Sequence, residues 1–422
     1  MFKTLRDAFK LVDLRKKILY TLLMFVVIRL GAHIPIPGVD SKQLVDYFEQ
    51  SNLDLLGMFD AFSGGAFQNM TLFAMGIIPY INASIIMNLL TIAIPALEEM
   101  QKEGEDGRRK IAKITRYATV VLALIQAIAI SISIQGIFTN YNASSVIVAV
   151  LSMTAGTAFL MWIGEQINEK GIGNGISLII FINIISRIPA GANLLGDQVR
   201  QGKYLTTAVL LLVFLAMVVL VVLIQLGERR IPVQYAKRVQ GRKVYGGQST
   251  HIPMKVNMAG VIPVIFASSL LQFPATITSF FTASPTGAWG AVVGFLNYYT
   301  SPVGAVIYFV LIILFAYFYT AIIFNPIEIA NNMKKNGGFI PGIRPGKPTV
   351  DYFTNILNRI VFIGALLLGI VAIAPIILSA ATKVSISFGG TSLLIVVGVC
   401  LDTIKQVEAQ MVMRHYKGFL NT

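Results

Sequence analysis

Residues able to do chemistry are sparse in this chain, and their spacing argues against catalysis. The three histidines, His33, His251 and His415, are far apart in sequence and none has a neighbour at metal-ligand spacing. Cys400 is the sole cysteine and sits in an apolar run, so no disulfide framework forms within the chain. No HExxH, phosphate-loop or nucleophile-elbow motif is present. Gly171-Ile172-Gly173-Asn174-Gly175 resembles a phosphate loop only in composition, because no strand precedes it. A glycine-rich re-entry at a membrane boundary is the expectation there. Neither a catalytic residue nor a metal or other cofactor is expected.

What remains is polar but uncharged. Asn82, Ser84, Asn88, Ser268, Ser269 and Gln272 lie inside apolar stretches, where hydrogen bonds between helices are worth roughly 0.6–2 kcal/mol each. Ion-coupled transporters place ionisable side chains within their spans. Here Arg29 lies near the end of its span, and Asp402 and Lys405 lie toward the end of the last one. A secondary transporter, an intramembrane enzyme and a poreless scaffold are the competing classes; the first two lack a buried charge or a catalytic pair.

The elements that position these residues are membrane helices. The 422 residues are 55% hydrophobic and 13% charged, with a mean hydropathy of +0.72. Soluble domains carry about 25% charged residues. Apolar runs of about 18 residues or more read as spans, and ten are expected. Their cores are 18–30, 72–94, 118–134, 146–163, 176–188, 208–226, 258–277, 303–324, 360–378 and 392–413, the ninth broken near Pro375. The first lacks a cleavage site and is read as a retained span. Twenty-eight of the 34 Lys and Arg residues fall on one side when both termini are placed in the cytoplasm, which sets that orientation.

Two spans share the pattern G-x-I-P-x-I-x-A-S: Gly76 to Ser84 in span two and Gly260 to Ser268 in span seven. Spans five and ten share a weaker one, Gly175-x-Ser177-Leu178-x-Ile180 against Gly390-x-Ser392-Leu393-x-Ile395. These offsets fit a five-plus-five repeat whose halves, 1–205 and 206–422, run oppositely through the membrane, with a functional path between them. Pro79 and Pro263 read as paired helix bends. Two loops, 227–257 and 325–355, are strongly basic. The second carries Pro341-Gly342-Ile343-Arg344-Pro345-Gly346, a stiff turn. Such loops suit an RNA backbone or an acidic protein surface, and anionic lipid offers the same charge.

The chain resembles the SecY family, the central subunits of bacterial Sec protein-translocation channels. The matching stretches run from end to end: Ile34-Pro35-Ile36-Pro37-Gly38, Phe62-Ser63-Gly64-Gly65, Met75 to Ser84, Gly107-Arg108-Arg109-Lys110, Gly164-Glu165-Gln166, Gly171 to Ser177, Tyr235-Ala236-Lys237-Arg238, Gln248 to Pro263, Pro341 to Gly346 and Phe388 to Val397. The resemblance implies an all-α polytopic membrane protein of ten helices in two inverted halves, in the bacterial plasma membrane. It implies a pore ring at Ile77, Ile81, Ile176, Ile180, Ile265 and Ile395. A plug helix is expected at about Leu55–Gly65, through Leu55, Leu56, Met58, Phe59, Phe62, Ser63, Gly64 and Gly65, with Ser63-Gly64-Gly65 as its hinge. A lateral gate between spans two and seven would use Pro79, Asn82, Asn88, Asn257, Pro263 and Phe273. Some relatives carry Ser and Gln where Asn82 and Asn88 stand. Implied partners are SecE, SecG, the SecA motor ATPase, the ribosome, signal sequences, nascent polypeptides and lipid. Docking falls to Arg238, Arg242, Lys243, Arg344 and Lys347.

Overall fold

The structure is a computed structural model that describes residues 9–40, 60, 63–133, 135–235, 238–240, 243–245, 249–281, 287–298, 301–382 and 390–419. Helices dominate. Span one is α1 (Val12–Gly31) and span two is α2 (Ile78–Ala93). A short α3 (Pro95–Lys102) leads into span three, α4 (Glu105–Ser133), followed by span four, α5 (Ala143–Lys170). Span five is α6 (Gly175–Ile185), continued by α7 (Ile188–Arg200), and span six is α8 (Tyr204–Leu226).

In the second half, span seven is α9 (Ile262–Phe281), followed by α10 (Gly287–Leu296) and span eight, α11 (Pro302–Ile323). After α12 (Pro326–Lys335) come span nine, α13 (Lys347–Thr382), and span ten, α14 (Gly390–Phe419). Among the described residues six helices are long and apolar enough to cross a membrane. A seventh candidate is the pair α2–α3, bent by 99°. The bend sits at Ile94, whose extended backbone (φ −110°, ψ 112°) is what a following proline enforces.

The helices are apolar on both their packed and their open faces. In α8 one stripe, including Leu210, Met217, Val221 and Ile224, is buried, while Leu212 and Leu215 are 70% and 65% exposed. Such a surface suits lipid rather than water. Two cores result. One joins α8, α9, α11, α13 and α14 around Val221, Tyr308, Ile312, Val371 and Leu394. The other joins α1, α5, α6 and α14 around Ile28, Ile163, Ile179 and Ile395.

Three expectations change. Helix α13 runs unbroken through Pro375, with Val371 and Ala372 packed in the core on the turn before it. Span two becomes helical only at Ile78; residues 64–77 before it are turns, not helix. Non-helical backbone beside a membrane span is tolerated where protein buries it, and Ala66, Phe67, Met70, Phe73, Ala74 and Met75 are all buried. The Ile34-Pro35-Ile36 stretch straps this segment: Leu72 N–H donates to the Ile34 carbonyl at 2.9 Å, and Ile36 N–H donates to that of Met70 at 3.0 Å.

The third change concerns the basic loops, which are not two separate features. Strands β1 (Glu228–Tyr235) and β4 (Ser249–Lys255) pair antiparallel, and β2 (Arg238–Gln240) pairs with β3 (Lys243–Tyr245) between them. Strand β5 (Gly338–Phe339), from the second loop, adds to the far edge of β1. Alternation along β1 buries Ile231 and Val233 against Met333, Ile340 and Phe353. One small sheet therefore welds both basic loops to the start of span nine.

Candidate functional site

The matched sequence pattern is a matched backbone device. Gly76 and Gly260 adopt φ of 57° and 65°, in the left-handed region where a side chain is disfavoured. Two residues later each helix begins, at Ile78 and Ile262, so Pro79 and Pro263 occupy the second helical position. Proline there loses no hydrogen bond. They start helices instead of bending them, which corrects the expectation of paired kinks; the interior proline of α9 is Pro274. The first turns match too: Ile81 N–H donates to the Ile77 carbonyl at 3.1 Å, and Ile265 N–H to that of Val261 at 3.2 Å.

The Gly171–Asn174 stretch is a tight corner between α5 and α6. Its backbone donors are taken up by side chains from three helices. Ile172 N–H meets Thr21 Oγ1 at 3.1 Å, Gly173 N–H meets Gln406 Oε1 at 3.0 Å and Gly175 N–H meets Asn168 Oδ1 at 2.7 Å. Asn174 caps α6 by accepting from Ser177 N–H at 3.2 Å. At Gly175 a Cβ would collide with the Gly164 carbonyl oxygen, so α6 lies hard against α5.

These devices bring all six expected ring isoleucines into one apolar cluster. Ile77, Ile180 and Ile395 are buried within it, and Ile81, Ile176 and Ile265 pack on it partly exposed. Ile77 immediately precedes α2, and the others come from α2, α6, α9 and α14, each within two turns of the first helical residue described. Val261, the repeat equivalent of Ile77, joins them. The G-x-I-P repeat is the sequence signal that points to it. Ala66, just past the plug segment, is fully buried in the same cluster.

The expected gate residues are dispersed by environment. Asn82 is half-buried and Asn88 exposed. Pro79 and Pro263 are buried, and so is Asn257, whose Nδ2 has no hydrogen-bond partner. Phe273 lies on α9, where only the backbone is described. Ser268 donates to its own helix, at the Ile265 carbonyl, and not across to a neighbour. Helix α9 packs on α11 and α4, and α2 packs on α4 and α5; among the described residues α2 and α9 do not pack along each other.

Of the plug residues, Leu55, Leu56, Met58, Phe59 and Phe62 lie outside the described residues. Ser63 and Gly64 form a fixed corner with Asp60, a residue that sequence reading passed over. Asp60 is 2% exposed and pairs with Arg187 at 2.6 Å. No local pattern links the two, since only the fold brings them together. In this connection between spans one and two, burial pushes the Asp60 carboxyl above its ordinary range, and the Arg187 charge offsets part of that. Arg29 does not reach away from the protein; it donates to the Gly64 carbonyl at 3.3 Å.

Of the expected docking residues, Arg238 and Lys243 fall on β2 and β3, where only the backbone is described, and Arg242 lies outside the described residues. Arg344 and Lys347 are exposed at the start of α13, where Arg344, Asp351 and Tyr352 help line an open cleft of about 530 Å³. Among the described residues no group of three or more His, Cys, Asp and Glu is gathered to hold a metal.

The SecY family profile matches residues 71–404. The chain belongs to the SecY family. It is 50% identical over 435 residues to the protein translocase subunit SecY of Halalkalibacterium halodurans, with 100% of both chains covered. The fold matches the SecY translocation channel whose plug domain stabilises its closed state and maintains a membrane seal. That match has a TM-score of 0.66 at 17% identity and covers 94% of this chain and 92% of the other. It also matches Sec61 in the canine ribosome–channel complex of the endoplasmic reticulum. There the TM-score is 0.63 at 17% identity, covering 94% of this chain and 93% of that one. Membership makes the chain a multi-pass membrane protein and a subunit of a protein translocase.

Proposed function

We propose that this chain is the pore-forming subunit of a protein-translocation channel. Unfolded secretory proteins cross at the isoleucine ring, and hydrophobic segments leave sideways between α2 and α9. The observation that carries the reading is the meeting of Ile77, Ile81, Ile176, Ile180, Ile265 and Ile395, from four helices, in one cluster beside Ala66. A passing chain presents every side-chain type, so a fixed polar site would discriminate among substrates. An aliphatic collar has no hydrogen-bonding preference, and closed it resists wetting.

The remaining assignments follow from this. Residues 55–65 act as the plug. Pro79, Asn82, Asn88, Asn257, Pro263 and Phe273 border the gate, a reading supported by the lack, among the described residues, of extended packing between α2 and α9 beyond the isoleucine cluster. The two halves, 1–205 and 206–422, move as bodies about the ring, with both termini in the cytoplasm. Arg238, Arg242, Lys243, Arg344 and Lys347, carried by the sheet and its neighbouring turn, dock the ribosome or the SecA motor. SecE and SecG complete the channel. The chain supplies no chemistry of its own, so the energy comes from those partners or the membrane potential.

The test is reconstitution. Proteoliposomes holding this chain with SecE and SecG should take up a secretory precursor, to protease protection, in the presence of SecA and ATP. Absence of uptake where a control channel succeeds would overturn the reading.

A further inference from the structure

Helix α5 supplies none of the six ring isoleucines, yet its segment 164–168, opened by the Gly164-Glu165-Gln166 motif, holds the first turn of α6, where Ile176 stands. A Cβ on Gly164 would lie 2.7 Å from Ile176 Cδ1 and 3.3 Å from Ile179 Cδ1, so the ends of both side chains fill the space that glycine leaves. One turn on, Asn168 Oδ1 accepts from Gly175 N–H at 2.7 Å. Ile163 and Ile167 of α5 are fully buried in the same cluster as the ring. Glu165 reaches α4, where its Oε1 meets Arg116 Nε at 2.5 Å, with the two side chains 31% and 48% exposed. Helix α4 is in turn a helix on which α2, the bearer of Ile81, packs.

We infer that Gly164 is a positioning residue for the ring: the space beside it sets where the Ile176 side chain projects, and the Glu165–Arg116 pair ties that seat to the helix on which α2 packs. The inference rests on the channel reading and extends it to residues outside the ring. What meets a Cβ at Gly164 is the free end of a flexible side chain. An added methyl therefore turns Ile176 away from its preferred rotamer and leaves the helices where they are. Gly175 is the contrast. There the nearest atom is the Gly164 carbonyl oxygen, so a side chain must displace a helix. In a close-packed cluster a displaced Ile176 finds no empty space, so the closed ring carries the strain and opening relieves it. The ion pair is partly exposed, so its hold is weaker than that of the seat.

The test is resting ion conductance of the chain reconstituted with SecE and SecG in planar bilayers. Gly164→Ala is expected to raise it about five-fold, the size that an off-rotamer side chain gives. Ile176→Val removes the Cδ1 that the new methyl would strike. Gly164→Ala with Ile176→Val should therefore leak no more than Ile176→Val alone, a rescue that general loosening of α5 would not show. Arg116→Gln and Glu165→Gln should each give about three-fold, and together no more than either alone. Gly164→Ala at the wild-type level overturns the inference. So does a doubly substituted chain, at either pair of positions, in which the two single effects multiply. A Gly164→Ala chain that fails to assemble both alone and with Ile176→Val overturns it too, because the contact is then not with the Ile176 side chain. The channel reading is checked in the same bilayers by Ile81→Gly with Ile265→Gly. If that variant leaks and the wild type translocates, silence at Gly164 refutes the seat alone. If nothing conducts and nothing translocates, the channel reading falls first.

Discussion

If the isoleucine ring is the closed seal, its members should contribute to closure in proportion to the apolar surface each buries there. Ile395 is 1% exposed and Ile180 4%, while Ile81 and Ile265 are only partly buried. Trimming Ile to Ala removes three carbon groups, at about 0.8 kcal/mol per buried methylene. At Ile395 that is about 2.4 kcal/mol, provided opening exposes the side chain. At 1.4 kcal/mol per ten-fold, the closed-to-open ratio falls roughly fifty-fold. At Ile81, counted as half buried, it is about 1.2 kcal/mol, a change of roughly seven-fold. Single-channel recording of resting open probability, with each variant reconstituted at equal density, reads these ratios directly. Leu223, 65% exposed on α8, is the control, and Leu223→Ala should change nothing. The reasoning is refuted if Ile395→Ala matches that control. It is equally refuted if Ile81→Ala opens the channel more than Ile395→Ala, because the order would then ignore burial.

Three further outcomes are expected. Gly175→Val should lower the melting temperature in detergent sharply or abolish expression, since its side chain strikes the Gly164 carbonyl; Gly196→Val, with open space around it, should be near neutral. Arg344→Glu and Lys347→Glu should weaken ribosome or SecA binding, measured by co-sedimentation. The loss should shrink as salt rises, because exposed charges are screened beyond about 10 Å at 0.1 M salt. A photo-crosslinker at Asn82 on α2 should capture a stalled signal sequence, whereas one at the lipid-exposed Leu212 on α8 should not; equal yields would remove α2 from the exit path.

The spans were legible because lipid imposes one rule on every residue of a helix. Long uncharged runs such as 208–226 and 303–324 have no other reading, and they appear as α8 and α11 within a few residues. Legibility failed where structure depends on partners remote in sequence. Strand β5 is two residues long and forms because β1 offers an open edge. Asp60 finds Arg187 only after α6 has been placed. The turns of 64–77 are as apolar as a helix, so hydropathy could not separate them from span two. A helix there would have continued α2 past Gly76, whose positive φ ends that possibility.

Three helices, α2, α6 and α9, have a common physical logic. A span that is helical from face to face presents a uniform cylinder, and four such cylinders enclose a uniform bore. Here α2 and α9 begin after a positive-φ glycine with proline in the first turn, and α6 begins at a capped corner wedged against α5. Starting a helix inside the protein requires each free N–H to find a partner, and proline, the Asn174 cap and the Asn168 side chain remove or satisfy several of them. The result is that isoleucines at or within two turns of separate helix starts meet in one cluster. If this cluster is the channel's closed seal, isoleucine at and near those helix starts is what makes the seal apolar. The recurrence of G-x-I-P in α2 and α9 is thus a repeated instruction for where to start a helix. That explains why Ile81 and Ile265 occupy the same turn of their respective helices and meet in the same cluster.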